Sequence, residues 1–86
     1  MTYRLSFKGS AEKEFGHLPA EVLQRVAAAV DALKANPRPV GVESLAGPLR
    51  GLLRIRVGDY RVVYQVNDEA RLITVTRIGH RSKVYH

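Results

Sequence analysis

Between Leu53 and Val66 apolar and polar side chains alternate with a period of two, Val63 apart, on either side of a break at Gly58-Asp59. Leu53, Ile55 and Val57 fall on one side and Arg54 and Arg56 on the other; past the interruption Tyr60, Val62, Tyr64 and Val66 alternate with Arg61, Val63 and Gln65. Two half-buried antiparallel strands joined by a two-residue turn have this pattern. No other stretch constrains the fold as tightly, because a slip of one residue would carry the arginines to the apolar side. One face of the hairpin therefore needs a cover, and the remaining residues must provide it.

Thr2 to Phe7 also alternates, with Tyr3, Leu5 and Phe7 on one side, which predicts a first strand. Gly9 breaks it, Ser10 is placed as an N-cap, and Ala11, Phe15 and Leu18 form the apolar line of a short helix. Pro19 suits the first turn of a second helix, where its missing N–H has no intrahelical partner to lose. Val22, Val26, Val30 and Leu33 keep the helical spacing until Asn36-Pro37 ends it, and Glu21 with Arg25 and Asp31 with Lys34 read as exposed ion pairs. Pro37, Pro39, Gly41, Gly47, Pro48 and Gly51 crowd residues 36–51, which predicts a loop from helices to sheet. After the hairpin, a polar turn over Asn67 to Arg71 leads to a last strand, Leu72 to Ile78, that stops at Gly79. The expected fold class is α+β: one domain over residues 1–86, ordered β-α-α-β-β-β, with the helical hairpin packed on one face of a mostly antiparallel four-stranded sheet.

The absence of cysteine excludes disulfides, thiolate zinc sites, iron–sulfur clusters and cysteine nucleophiles, and it suits a reducing compartment. His17, His80 and His86 are scattered without metal-ligand spacing, so neither a metal nor a cofactor is expected. Arg4, Lys8, Glu12 and Lys13 leave no room for a signal-peptide core, and no apolar run approaches the ~18 residues of a membrane span. A cytoplasmic protein is expected.

Fourteen basic against eight acidic residues give a formal charge of +6, which suits a polyanionic partner. Residues 1–49 hold six basic and five acidic groups, whereas residues 50–86 hold eight and three, so the excess lies in the C-terminal half. Seven of those eight cations are arginine, whose planar fork matches a phosphate better than a lysine ammonium does. With Ile55 and Val57 on the packed face, Arg54 and Arg56 project from the open one, and antiparallel pairing lets Arg61 join them. Three guanidiniums on one face repel each other, and a ligand with several negative oxygens would compensate. Arginines merely solvating an open sheet are the plainer alternative.

The stretch Leu53-Arg54-Ile55-Arg56-Val57-Gly58-Asp59-Tyr60-Arg61-Val62-Val63-Tyr64, followed by Ile78-Gly79-His80-Arg81-Ser82-Lys83-Val84-Tyr85, resembles the RelE branch of the RelE/ParE toxins. The resemblance spans almost the whole chain, with the Leu45 to Leu49 loop and its Gly47 in the expected place. It implies the toxin of a type II toxin–antitoxin pair, a ribonuclease that enters the ribosomal A site and cuts mRNA there without a metal. A RelB-like antitoxin is the implied partner. In that chemistry the ribose 2′-OH attacks the adjacent phosphorus, leaving a 2′,3′-cyclic phosphate and a free 5′-OH. By position the resemblance implies that Arg61 and Arg81 stabilise the phosphate, with Arg81 also a proton donor, and that Tyr85 orients or activates the nucleotide. Arg54 and Arg56 stand where the best-known members have a pair of lysines, and Arg77 and Lys83 are further candidates for RNA-phosphate contact.

The arginine pair is a departure with a consequence: arginine stays charged and makes a poor general base, whereas a lysine among cations can give up its proton. His80, beside Arg81, is the candidate proton-transfer group, against the plainer reading of a strand-end residue that moves no proton. His17 reads as a surface histidine, and Tyr60 and Tyr64 as core residues rather than base-stacking platforms. Two other functions fit the same elements: a ParE-like toxin that poisons DNA gyrase, and a RelE-fold binding module without catalysis. A helix-turn-helix reading fails because Leu18-Pro19 leaves hardly any turn and neither helix is notably basic.

Overall fold

The computed structural model describes residues 2–84. The elements run β1 (Arg4–Phe7), α1 (Gly9–Gly16), α2 (Ala20–Leu33), β2 (Glu43–Ser44), β3 (Leu53–Val57), β4 (Tyr60–Asn67) and β5 (Leu72–His80), with a 3₁₀ turn at Gly47–Leu49. They form an α+β fold in which the strands are ordered β1-β5-β4-β3-β2. β1 runs parallel to β5 and every other pairing is antiparallel. The mostly antiparallel sheet and the helical pair are as the alternation and helical spacing predict. The sheet has one strand more, because Glu43 and Ser44 pair with Arg54 and Leu53 at the far edge. Two residues amid prolines and glycines are too few to show a period.

α2 presents Val26, Val30 and Leu33 to Ile55, Val57, Val62, Tyr64, Ile73, Val75 and Ile78, all buried, and α1 adds Ala11. Each such aliphatic side chain withdrawn from water stabilises the fold by about 1.5–3 kcal/mol before entropy is counted. Tyr64 is fully buried yet satisfied: its hydroxyl donates to the Pro37 carbonyl at 2.6 Å, and burial pushes its pKa up to about 12. That bond fixes the chain leaving α2. Nearby, Asp68 accepts two bonds from the Arg38 guanidinium and one from the Tyr3 hydroxyl, joining the loop after α2 to β1 and the β4–β5 turn.

Local departures from the expected boundaries have local causes. α1 begins at Gly9 with Lys8 as its N-cap rather than Ser10, because the Lys8 N–H still bonds Val75 of β5 while its carbonyl already accepts from Glu12. Pro19 is the N-cap of α2, one residue before the position expected of it. Lys34 and Asp31 pair at 2.8 Å, but Arg25 turns away from Glu21 and lies against Gly58. β5 continues through Gly79 to His80, since Tyr60 and Arg61 pair with both.

Within β5 the register shifts: Val63 faces Arg77 and Tyr64 faces Val75, leaving Thr76 as an extra residue. Its hydroxyl donates to the Val63 carbonyl at 3.2 Å, which satisfies a buried polar group at the bulge. Ile73 and Val75 therefore share the helical face with Ile78, while Arg77 lands on the other. That other face is less open than the alternation implies. Val63 and Val84 are almost fully buried there, and with Ala46, Pro48, Leu49, Leu52, Thr76 and Arg77 they line a cavity of about 320 Å³.

Candidate functional site

Antiparallel pairing of β3 with β4 sets Arg56 directly across from Arg61, and Arg54 across from Val63. The three arginines thus share the face away from the helices, as the period predicts. Their charges are handled differently. Arg54, with its side chain only 20% exposed, places Nη2 2.6 Å from Oε2 of Glu43, and Arg56 has Nε 3.5 Å from Oε1 of the same carboxylate. The Arg54 bond, with Arg56 beside it, holds the Glu43 carboxyl below its ordinary pKa. An internal carboxylate therefore supplies the compensation expected from a ligand at these two residues.

Arg61 has no such partner. Its Nη1 donates to the Gly58 carbonyl at 3.1 Å and to that of Tyr60 at 3.0 Å, so the side chain curls over the β3–β4 turn with its charge uncancelled. Arg81 reaches the same turn from the end of β5. Its backbone N–H donates to the Asp59 carbonyl at 2.8 Å, and its Nε stands 4.0 Å from Asp59 Oδ1, a loose contact between two exposed groups. Gly58, at φ 60°, supplies the left-handed backbone that lets the turn close. The structure thus brings Arg61 and Arg81 together at the hairpin tip, while Arg54 and Arg56 sit along the strand on Glu43.

Arg77 and His80 lie along the part of β5 that β1 no longer covers. Glu14 of α1 stands in for the missing strand: one carboxylate oxygen accepts the Ile78 N–H at 3.0 Å and the other lies 3.2 Å from Arg77 Nε. His80 pairs across from Tyr60, and the rings meet edge to face at 5.5 Å. Since Arg61 pairs with Gly79, His80 belongs to the opposite side of the pleat from Arg61. The Ser82 backbone nitrogen lies 3.2 Å from His80 Nδ1. The same Nδ1 lies 2.8 Å from the Ser82 hydroxyl oxygen, so Ser82 occupies this nitrogen and Nε2 is the one left to face a ligand. Lys83 lines an edge cleft of about 470 Å³ with Glu14, His17, Tyr60 and His80. Tyr85 lies outside the described residues.

Around the arginines of the basic face and β5, three carboxylates had no sequence signal as partners: Glu14, Glu43 and Asp59. Glu43 and Glu14 meet partners 11 and 63 residues away, so no local spacing announces them. Among the described residues, no group of three or more His, Asp or Glu side chains could hold a metal ion.

The molecule is thus a five-stranded mixed sheet with a helical pair on one face and a cation-rich hairpin tip. The family model for the ParE toxin of type II toxin–antitoxin systems, parDE, matches residues 3–85, and the chain belongs to that family. It is 31% identical to the toxin RelG of Mycobacterium tuberculosis over 99% of this chain and 98% of that protein. To the mRNA interferase toxin RelE of Escherichia coli it is 34% identical, over 99% of this chain and 92% of the relative. Among solved structures, the RelBE2 toxin–antitoxin complex of M. tuberculosis holds a chain that superposes with a TM-score of 0.83 at 29% identity, covering 94% of this chain and all of that one.

Proposed function

We propose that this toxin is a metal-independent endoribonuclease that cleaves mRNA in the ribosomal A site and so inhibits translation. The observation that carries the reading is the convergence of Arg61 and Arg81 on one turn with a single loosely held carboxylate between them. Two guanidiniums so placed suit the charge that builds on a phosphate under attack. The 2′-OH gives its proton to His80 and its oxygen bonds to phosphorus; the bond to the 5′-oxygen breaks and that oxygen takes a proton from solvent beside Arg81. Arg61 and Arg81 hold the non-bridging oxygens. His80, with Nδ1 taken up by Ser82, uses Nε2 as the proton acceptor. Arg56, Arg77 and Lys83 hold flanking phosphates, Arg54 anchors Glu43, and Tyr85 orients the nucleotide.

The 34% identity to a relative named mRNA interferase supports this reading. A site without a strong base gains from a ribosome that aligns its substrate, since orientation alone supplies several kcal/mol. A RelB-like antitoxin is the partner, in line with the toxin–antitoxin complex among the structural neighbours, and the cytoplasm is where ribosome and antitoxin are met. No helix among the described residues is long and apolar enough to cross a membrane.

The name of the matching family favours one second reading, gyrase poisoning of the ParE kind. Inducible expression with mapping of mRNA 5′ ends separates the two. Growth arrest with cuts at A-site codons is expected; arrest with DNA breaks and intact mRNA would establish the gyrase reading instead.

A further inference from the structure

Arg25 is the cation whose position the helical spacing does not explain. On the surface of α2 it had Glu21 one turn away, a pairing worth only a few tenths of a kcal/mol. Its guanidinium instead lies over the β3–β4 turn, with Nη2, Nη1 and Cζ at 3.1, 3.3 and 3.5 Å from where a Cβ on Gly58 would stand. A side chain at Gly58 would meet this guanidinium, which would have to give way by a few tenths of an ångström. Arg61 touches the same residue from the strand side, through the Gly58 carbonyl at 3.1 Å. Arg25 has no hydrogen-bond or ion-pair partner among the described residues, and its side chain is exposed. Three guanidiniums, from α2, β4 and the end of β5, thus ring a turn that holds one carboxylate, Asp59.

We infer that Arg25 is a further RNA-phosphate contact, clasping the hairpin tip from the helical side while Arg61 and Arg81 hold it from the strands. The RNA backbone then crosses the tip instead of lying only along the sheet. The inference rests on the reading of this protein as an RNA-cleaving toxin for its ligand, a phosphodiester with negative oxygens that match the free N–H groups of the fork. mRNA and ribosomal RNA both carry that group.

The test measures binding of the full-length toxin across a KCl series. One ligand is ribosomes programmed with an mRNA blocked by a 2′-O-methyl ribose at the A-site codon; the other is the free oligonucleotide of the same sequence. Arg25→Ala is expected to weaken binding about tenfold and to flatten the slope of log K against log [KCl] by about 0.7, one phosphate contact on a single strand. Arg25→Lys keeps the slope but recovers only part of the affinity, because the charge returns without the fork. Gly58→Asn, which tolerates the turn but pushes Arg25 off it, acts like Arg25→Ala and does not add to it. Lys34→Gln, which removes a charge paired with Asp31, leaves slope and affinity unchanged. An effect in both arms assigns the phosphate to mRNA, and one confined to ribosomes assigns it to ribosomal RNA. A wild-type slope in Arg25→Ala, with Arg61→Ala flattened, would overturn the inference and leave the ribonuclease reading intact. Arg25-dependent binding by a toxin that fails to cut the unblocked mRNA would overturn the reading and leave the contact standing.

Discussion

The arginines of β3 and those of the hairpin tip belong to the same basic face by sequence, yet they sit in opposite electrostatic states. Arg54 and Arg56 share the Glu43 carboxylate, at 2.6 and 3.5 Å, and the Arg54 side chain is largely withdrawn from water. Arg61 spends its donors on backbone carbonyls, which cancel no charge, and Arg81 meets its carboxylate only at 4.0 Å with both side chains exposed. An anion approaching β3 must compete with an internal carboxylate, whereas one approaching the tip meets donors already in place. Counting arginines on a face therefore overstates its pull; what matters is how many lack a carboxylate.

The largest test of this contrast is Arg61→Ala or Arg81→Ala, each expected to slow cleavage of ribosome-bound mRNA by about 10²- to 10³-fold while leaving the melting temperature nearly unchanged. Equal losses at Arg54 and Arg61 would erase the distinction. His80→Gln comes next, at up to about 10²-fold, the low end for proton transfer, because Nδ1 is engaged by Ser82 and the ring lies across the pleat from Arg61. Full activity in His80→Gln would remove the histidine from the mechanism. Arg54→Ala should behave in the opposite sense to the tip variants, costing about 1–3 kcal/mol of stability for the lost charged hydrogen bond and little in rate once folded, as read by chemical denaturation.

Glu43→Gln sharpens the comparison from the other side. Neutralising the clamp should tighten RNA binding severalfold and steepen its salt dependence, with cleavage retained. Cleavage lost with binding intact would instead make this carboxylate a proton acceptor. The smallest effect is on acid stability. Glu43 and Asp68 are both held below the ordinary carboxylate range, chiefly by hydrogen bonds from Arg54 and Arg38 respectively. Their contribution is complete above the unfolded carboxylate pKa of about 4 and is lost as pH falls through the lower folded values. Melting temperature followed from pH 6 to pH 2 should therefore decline, and less so in Asp68→Asn. At the alkaline end Tyr64 works with the reverse sign: its folded pKa of about 12 lies above the unfolded one, so its contribution persists to about pH 10 and fades as pH rises toward 12.

Much of the fold was legible because it is written in periods. The alternation around Gly58-Asp59 places Arg54, Arg56 and Arg61 on one face, and the i, i+4 line of Val22, Val26 and Val30 gives the helix that covers the other. The carboxylate partners were not legible. Glu43 occupies a two-residue strand inside a loop, and Glu14 meets Ile78 only because β1 ends at Phe7 and leaves the β5 edge exposed. Long-range pairing of this kind leaves no local spacing to read. Arg25 was misread for the same reason, since a local partner in Glu21 concealed the distant turn that holds its side chain.

Thr76 has a consequence of its own. An extra residue opposite Val63 acts as a phase switch in β5, letting one strand serve the apolar layer with Ile73 and Val75 before it and deliver Arg77 outward after it. Deleting Thr76 would restore a uniform beat and leave Val75 and Ile78 inward and Arg77 outward, since Val63 already faces Arg77 and Tyr64 already faces Val75. Single-residue deletions in this strand are therefore unequal: one at the bulge keeps inside and outside where they are, whereas losing Thr74 with the bulge kept would turn Ile73 out of the molecule's interior.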